Sequence, residues 1–217
     1  MQVSGPTLAT VLLVSLGSLV AAPVLFQGFK RRGKGIKYER SFWIQRAPQL
    51  ASVLTILLIT FSFMVVNSLL AVARDLVPLF TLTPVLPLQV ALISSWLGVA
   101  LLFSGLIFMI GGWYSLGDCF STDAELLDGQ TVRKTGLLKY VMHPAYSGII
   151  QSLLGASLAG LSPLSLLSTV FLVAPLWLRR AKYEERLLID TFGQSYMDYG
   201  RELKWRRLIP HFFPIGV

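Results

Sequence analysis

The stretch PAYSGIIQSLLGASLAGLSPLSLLSTVFLVAPLWL, residues 144–178, carries no charged side chain from end to end. An α-helix crosses about 30 Å of hydrocarbon with roughly 20 residues, so one span does not need so long a stretch. The segment AGLSPLS at its middle, with Gly160 and Pro163, is typical of a turn between two helices. Each half is then about 16 or 17 residues long, near the lower limit for a span. The stretch therefore predicts a tight transmembrane hairpin.

Three further apolar runs are long enough to cross a bilayer, at residues 7–29, 50–73 and 88–114. The composition agrees, because 54% of the 217 residues are hydrophobic, 14% are charged and the mean hydropathy is +0.65. These values lie outside the range of soluble globular domains. The predicted fold class is therefore an all-α integral membrane protein with about five transmembrane helices, the last two forming the hairpin.

The distribution of basic residues predicts the orientation in the membrane. Seven of them follow the first run: Lys30, Arg31, Arg32, Lys34, Lys37, Arg40 and Arg46. The positive-inside rule places this loop, residues 30–46, in the cytoplasm and the amino terminus outside. The first run has no basic residues before it and is long for a signal peptide, so we interpret it as a retained span. Alternation then puts Arg74 outside, and both Arg133 and the basic tail after residue 178 inside.

The net charge of +8 and the pI near 9.9 do not indicate a nucleic-acid-binding protein. The cations flank the predicted spans, where they would meet anionic lipid headgroups. The cytoplasmic parts, residues 115–143 and 179–217, are too short to be separate domains. Apolar residues at helical spacing around Leu187 predict a short helix that ends at Gly193, so we expect short cytoplasmic helices that cap the membrane helices.

One of the two histidines, His143, precedes the hairpin directly. Pro144 suits the first turn of a helix, which puts His143 at the helix start, where unpaired backbone amides attract an anion. The hairpin returns the chain to the same side, so Arg180, Glu184 and Glu185 are expected close to His143. A composite polar pocket follows from this topology.

Each of these features also has a simpler explanation. A His-Pro pair at a helix start is commonly an interfacial cap, and Arg180 with Glu184 is commonly a solvated pair on a helix surface. Tyr146 and Trp177 are by themselves typical of the aromatic residues at a membrane interface. Only the occurrence of these features together points to a particular function.

The combination resembles the isoprenylcysteine carboxyl methyltransferase family and its phospholipid methyltransferase relatives. The similar motifs are, in order, HPAYSG at residues 143–148, the charge-free hairpin, RAKYEERLLIDTFGQSYMDY at residues 180–199 and RRLIP at residues 206–210. The resemblance covers roughly residues 115–210. Residues 1–114, which contain the three separate apolar runs, carry little of it. The expected division of the chain is therefore three spans in residues 1–114 and a methyltransferase-like catalytic region in residues 115–217.

The resemblance implies transfer of a methyl group from S-adenosylmethionine without a Rossmann domain, and the chain has no strand followed by a G-x-G-x-x-G turn. The cofactor-binding residues that it implies are Gln130, Thr131, Val132, Arg133, Leu138, His143, Pro144, Ala145, Tyr146 and Glu184. It places Arg180 toward the substrate. Met142 and Leu138 stand where the family usually has arginine and tyrosine, differences that concern the substrate more than the cofactor.

A sulfonium donor carries its own leaving group, so such an enzyme mainly aligns the attack and excludes water. A carboxylate acceptor needs a cation such as Arg180, whereas a thiol or amine needs a base, for which Glu185, His143 and Tyr146 are candidates. We therefore predict Arg180 and Glu185 as catalytic residues. No metal site is expected, because His143 and His211 lack clustered ligands.

The acceptor is expected to be lipophilic and to enter from the bilayer, with membrane lipids as the other partners. Two other classes of function stay open at the level of sequence. One is a membrane reductase of the steroid reductase type, which would use a nicotinamide cofactor. The other is a non-catalytic membrane scaffold.

Overall fold

A computed structural model describes residues 4–38, 40–68 and 77–203. The described chain is helical, which confirms the all-α class. The α-helices are α1 Ser4–Arg31, α2 Phe42–Gln45, α3 Ala47–Ser68, α4 Val77–Phe80, α5 Leu88–Leu116, α6 Pro144–Ala159, α7 Pro163–Ser168, α8 Ala174–Phe192 and α9 Gln194–Glu202. Two 3₁₀ turns, Gly117–Cys119 and Gly136–Lys139, and a π-helical turn, Thr169–Val173, complete the helical part. Sequence patterns did not predict the two short strands, β1 Lys37–Tyr38 and β2 Glu125–Leu126.

Three helical segments are long and apolar enough to cross a membrane: Gly5–Arg31, Leu88–Cys119 and Pro163–Phe192. They support an integral membrane protein. The apolar helix Ala47–Phe63 is shorter, and α6 has only 16 residues. A count of five spans therefore stays a prediction. Arg74 lies outside the described residues, as do residues 204–217 with the RRLIP motif and His211.

The chain turns between Ala159 and Pro163, as Gly160 and Pro163 predicted. Pro163 is the first residue of α7, where its missing N–H costs nothing. The second helix of the predicted hairpin does not end where the apolar run ends, at residue 178. It continues as α8 to Phe192. Arginine, alanine, lysine, glutamate and leucine dominate residues 179–188, and all are strong helix formers. The predicted break at Gly193 is confirmed, with φ at 55°.

The chain forms two compact units, and the first comprises Met1–Gly17, Gln49–Leu106 and Ile150–Pro175. Its α5 and α6 segments touch backbone to backbone. A Cβ added to Gly98 would come within 2.3 Å of the Ala159 nitrogen, and one added to Gly155 within 2.3 Å of the Leu102 nitrogen. Small residues allow this approach, which in a membrane replaces hydrophobic attraction as the source of helix association.

The second unit comprises Ser18–Pro48, Ile107–Ile149 and Leu176–Val217. In it β1 pairs antiparallel with β2, with Lys37 opposite Leu126. The start of α6 packs on α5, since a Cβ on Gly112 would meet the Ala145 nitrogen at 2.5 Å. Every predicted site residue belongs to this unit. The boundary predicted at residue 114, between a membrane part and a catalytic part of the chain, is a different division and stays a prediction.

Candidate functional site

The start of α6 and the middle of α8 bring five predicted site residues together: His143, Tyr146, Arg180, Glu184 and Glu185. His143 lies at the helix start as expected, because its carbonyl accepts the Ser147 N–H at 3.1 Å. On α8, residues 180 and 184 are one helical turn apart and therefore share a face. The result is a compact group of charged and polar side chains inside the second unit.

Arg180 is the centre of this group and is only 2% exposed. Its Nε donates to the Tyr146 hydroxyl at 3.0 Å and to Glu184 Oε1 at 3.1 Å. Its Nη2 donates to the main-chain carbonyl of Thr122 at 2.9 Å. The interpretation of Arg180 and Glu184 as a solvated surface pair is therefore wrong. The helix turns this face toward the loop before α6 rather than toward water.

The aromatic neighbours of Arg180 are part of the same arrangement. Its guanidinium carbon lies 5.7 Å from the ring centre of Tyr146 and 5.4 Å from that of Trp177. Both distances fall within the range of cation–π attraction. Trp177 is buried, so its interpretation as an interfacial aromatic residue is wrong.

One donor of Arg180 has no protein acceptor among the residues that the structure describes. This atom is Nη1, which is buried. A buried N–H without an acceptor costs free energy, since water no longer solvates it. The position therefore suits an oxygen atom of a ligand.

Two carboxylates flank the imidazole of His143. Its Nε2 lies 3.2 Å from Glu185 Oε1, and its Nδ1 lies 3.9 Å from Glu184 Oε2. Its ring stacks on Tyr146 with 5.4 Å between centres and 5° between planes. Tyr146 in turn donates a hydrogen bond to Glu184 Oε1. These contacts fix the orientation of the imidazole and link it to the arginine group.

Glu184 is the most accessible charged member of the group. Its side chain is 20% exposed, compared with 8% for Glu185 and 3% for Arg180. A ligand that approaches from solvent would reach the Glu184 carboxylate first. Glu185 is less exposed, and its carboxylate is the partner of the His143 imidazole.

Two more of the predicted residues border the tyrosines of α9. Leu138 is buried, and its carbonyl accepts a hydrogen bond from the Tyr199 hydroxyl at 2.6 Å. Val132 packs against Tyr196, Tyr199 and Leu203. Burial raises the pKa of the Tyr199 hydroxyl above its usual range, since the charged phenolate would be poorly solvated.

The remaining predicted cofactor residues make their contacts elsewhere. Gln130 Oε1 accepts the Leu127 N–H at 3.0 Å, and Thr131 is exposed. Arg133 Nε lies 3.4 Å from Cys119 Sγ, a hydrogen bond that raises the pKa of Arg133. Pro144 and Ala145 are buried at the first turn of α6. A role of these residues in cofactor binding stays a prediction.

Sequence reasoning missed the Thr122 carbonyl and the acidic residue that follows it, Asp123. A backbone carbonyl carries no residue signature, so no motif could have identified Thr122. Asp123 had no distinguishing signal, because Asp118, Glu125 and Asp128 lie close to it in the sequence. In the described ranges, no three histidine, cysteine, aspartate or glutamate side chains come together in a way that could hold a metal ion.

Comparison with known proteins adds to this geometry. Residues 93–195 match the phospholipid methyltransferase family. The Protein-S-isoprenylcysteine O-methyltransferase of Saccharomyces cerevisiae is 35% identical over 66 residues, which are 30% of this chain and 28% of the yeast protein. The chain thus matches less than a third of the length of that relative. The resemblance predicted from the motifs is confirmed, and the family match includes the entire polar group.

Proposed function

We propose that this chain is an integral membrane methyltransferase that transfers a methyl group from S-adenosylmethionine to a lipophilic acceptor. The observation that carries the proposal is the buried group of His143, Tyr146, Arg180, Glu184 and Glu185. It lies inside the region of similarity to methyltransferases, and it retains one buried donor, Arg180 Nη1, without a protein acceptor.

The residues at this site fit the polar parts of S-adenosylmethionine. Glu184 offers a partly exposed carboxylate for ribose hydroxyls or for the methionyl ammonium. In the first turn of α6, Pro144 has no N–H and the Ser147 N–H bonds to the His143 carbonyl, so the N–H groups of Ala145 and Tyr146 are the candidates for the methionyl carboxylate. When bound, S-adenosylmethionine supplies a methyl group on a sulfonium, a leaving group that needs no acid. What the protein contributes is alignment and exclusion of water.

The acceptor that the site suits best carries a carboxylate. Arg180 can donate from the NH2 group of Nη1 to a carboxylate oxygen, and a carboxylate needs no deprotonation before it attacks. The name of the yeast relative, Protein-S-isoprenylcysteine O-methyltransferase, describes methylation of an oxygen atom, which supports the same class of acceptor. A thiol or amine would need a base, and Glu185 with His143 is the pair that could serve.

The proposal includes five transmembrane helices, an external amino terminus and a site on the cytoplasmic side. Single cysteines in sealed vesicles test this arrangement. Lys34→Cys and Lys204→Cys should react with a membrane-impermeant reagent from the same side, and Arg74→Cys from the other. Labelling of Lys34→Cys and Lys204→Cys from opposite sides would rule out five spans.

The activity is tested on the purified protein with S-adenosylmethionine that carries a labelled methyl group, together with a membrane lipid extract. We expect label in a lipophilic product, which mass spectrometry identifies. Calorimetric titrations with S-adenosylhomocysteine and with reduced nicotinamide dinucleotides separate the classes. Binding of only the nicotinamide compound would favour the reductase, and binding of neither would favour the scaffold.

A further inference from the structure

Part of the basic segment that follows α1 forms ion pairs with the protein itself. Arg46 Nη1 lies 2.9 Å from Asp123 Oδ1, and Arg32 Nε lies 3.3 Å from the same carboxylate. The Asp123 side chain is 2% exposed, while the two arginines are 32% and 38% exposed. Two guanidinium groups therefore hold one buried carboxylate of the loop that precedes α6.

Gln45 holds the next residue of that loop. Its Nε2 donates to the Ala124 carbonyl at 2.9 Å, and its Oε1 accepts the Ala124 N–H at 2.8 Å. The side-chain amide thus pairs with both backbone groups of Ala124, as a neighbouring strand would. Gln45 itself is 2% exposed, so these bonds are shielded from competing water.

Glu125 extends the same contact. Its carboxylate accepts the Gly33 N–H at 3.0 Å and the Gly35 N–H at 2.8 Å, and β1 pairs with β2 through this residue. A Cβ on Gly35 would come within 2.7 Å of the Glu125 Cβ, so the two segments are in tight contact. Three consecutive residues, 123–125, are therefore held by the segment between α1 and α3.

Thr122 stands directly before these three residues, and its carbonyl receives the Arg180 Nη2 hydrogen. The guanidinium is planar, so the directions of Nε and Nη2 determine the direction of Nη1. Tyr146 and Glu184 fix Nε, and the Thr122 carbonyl fixes Nη2. The position of this carbonyl consequently determines where the remaining donor points.

We propose that Asp123 and Gln45 are positioning residues, which hold the Thr122 carbonyl so that Arg180 presents Nη1 to the acceptor. The inference rests on the proposed function and goes beyond it. It assigns to the segment between α1 and α3 a part in substrate orientation, in addition to the predicted contact of its cations with anionic lipid headgroups. Neither residue touches the substrate, since both act through Arg180.

The test compares two isosteric changes on the same loop. Asp123→Asn removes the charge that holds Arg32 and Arg46. Asp118→Asn is the matched control, because Asp118 pairs with Arg31 at 2.7 Å but its side chain is 85% exposed. Turnover is expressed per S-adenosylhomocysteine-binding site, so that loss of folded protein does not count as loss of activity.

For Asp123→Asn we expect kcat/KM for the acceptor to fall at least tenfold, while the Kd of S-adenosylhomocysteine changes less than threefold. Asp118→Asn should change both less than twofold. In an Arg180→Lys background, Asp123→Asn should change residual turnover less than twofold. Lysine cannot make all the hydrogen bonds of the guanidinium, so the position of the Thr122 carbonyl no longer matters. Equal effects of the two aspartate variants, or additive effects of Asp123→Asn and Arg180→Lys, would overturn the proposal.

A second measurement does not depend on activity. In protein labelled with ¹⁵N-arginine, the resonances that disappear in Arg180→Lys identify the N–H groups of the Arg180 guanidinium. Hydrogen exchange at Nη2, which bonds to the Thr122 carbonyl, should become at least fivefold faster in Asp123→Asn and stay unchanged in Asp118→Asn. An unchanged rate in Asp123→Asn would overturn the positioning role. If the wild-type protein transfers no methyl group but this contrast holds, the proposed function fails and the positioning of Arg180 stands.

Gln45→Ala supplies an independent perturbation of the same carbonyl without a change of charge. It should reproduce the effects of Asp123→Asn on kcat/KM and on the hydrogen exchange at Arg180 Nη2. If Asp123→Asn does not fold, Gln45→Ala decides the question by the same two measurements. Wild-type values for both in Gln45→Ala would contradict the inference.

Discussion

Replacement of Glu184 by glutamine tests the cofactor side of the site with the least disturbance of its shape. Glu184 Oε1 accepts from Arg180 Nε at 3.1 Å and from the Tyr146 hydroxyl. Glutamine keeps one carbonyl oxygen for these donors but loses the charge. Arg180 stays charged, so only the hydrogen bond from the Tyr146 hydroxyl becomes one between two neutral groups. Because hydrogen bonds to charged groups contribute about 1.5–3 kcal/mol and neutral ones about 0.5–1.5 kcal/mol, we expect stability to fall by about 1–2 kcal/mol.

The same change should weaken the binding of S-adenosylhomocysteine about 10- to 100-fold, or roughly 1.4–2.8 kcal/mol. The reason is that an amide replaces the carboxylate which the proposal assigns to the ribose hydroxyls or the ammonium. Glu184→Ala is a poorer test. It would remove the acceptor oxygen of Arg180 Nε and of the Tyr146 hydroxyl together with the charge, and breaking a buried pair in this way costs about 3–5 kcal/mol.

Calorimetric titration with S-adenosylhomocysteine and thermal unfolding in the same detergent measure the two effects. Glu202→Gln is the control, since Glu202 forms an exposed pair with Lys134 at 3.2 Å. Exposed pairs contribute about 0–1 kcal/mol, so the control should bind normally and unfold nearly as the wild type does. If Glu184→Gln loses stability but binds S-adenosylhomocysteine with wild-type affinity, Glu184 supports Arg180 only, and its assignment to the cofactor is wrong.

Three further changes test other parts of the molecule. Arg180→Lys keeps the charge but loses the fork of donors, so transfer should slow strongly while S-adenosylhomocysteine affinity stays within about threefold, or roughly 0.7 kcal/mol; loss of both would assign Arg180 to the cofactor. Gly155→Val should prevent α5 and α6 from packing and yield little folded protein by gel filtration, whereas Gly200→Ala, whose Cβ would meet only the flexible end of Met142 at 3.5 Å, should fold normally. Tyr199→Phe leaves a carbonyl without its donor and should lower the free energy of unfolding by about 1–3 kcal/mol below pH 10. Because burial raises the pKa of Tyr199, the wild type should lose more stability than the variant as the pH rises above 10, which denaturant titrations of both at pH 8 to 11 can measure.

The parts of the fold that follow from local chemistry were predictable from the sequence. Pro144 marks a helix start, and Gly160 with Pro163 marks the turn, because proline and glycine restrict or free the backbone whatever surrounds them. The proximity of His143 to Glu185 also followed from sequence, since a turn between two helices of similar length returns the chain to its starting level. The 3.2 Å contact between their side chains agrees with that reasoning.

The environment of Arg180 was not predictable in the same way. Spacing along a helix says that residues 180 and 184 share a face, but not what covers that face. The cover is the loop before α6, which has neither the periodicity of a helix nor enough alternation to identify β2. Its position depends on Asp123, Gln45 and their distant partners, and contacts so far apart in sequence leave no local pattern.

The continuity of α8 explains how charged side chains come to be buried at the site. One side of this helix is buried, at Trp177, Arg180, Ala181 and Glu185. The buried side chains therefore change from apolar to charged along a single continuous helix. A buried charge is tolerated only with partners, and Arg180 has them on two of its three nitrogens. The third, Nη1, lacks one among the described residues, which leaves the guanidinium incompletely compensated. A ligand oxygen at this position would complete its hydrogen bonds, so ligand binding should be favoured by the same desolvation that makes the free site costly. We therefore expect the acceptor carboxylate, and not its hydrocarbon chain alone, to determine which lipophilic molecules react.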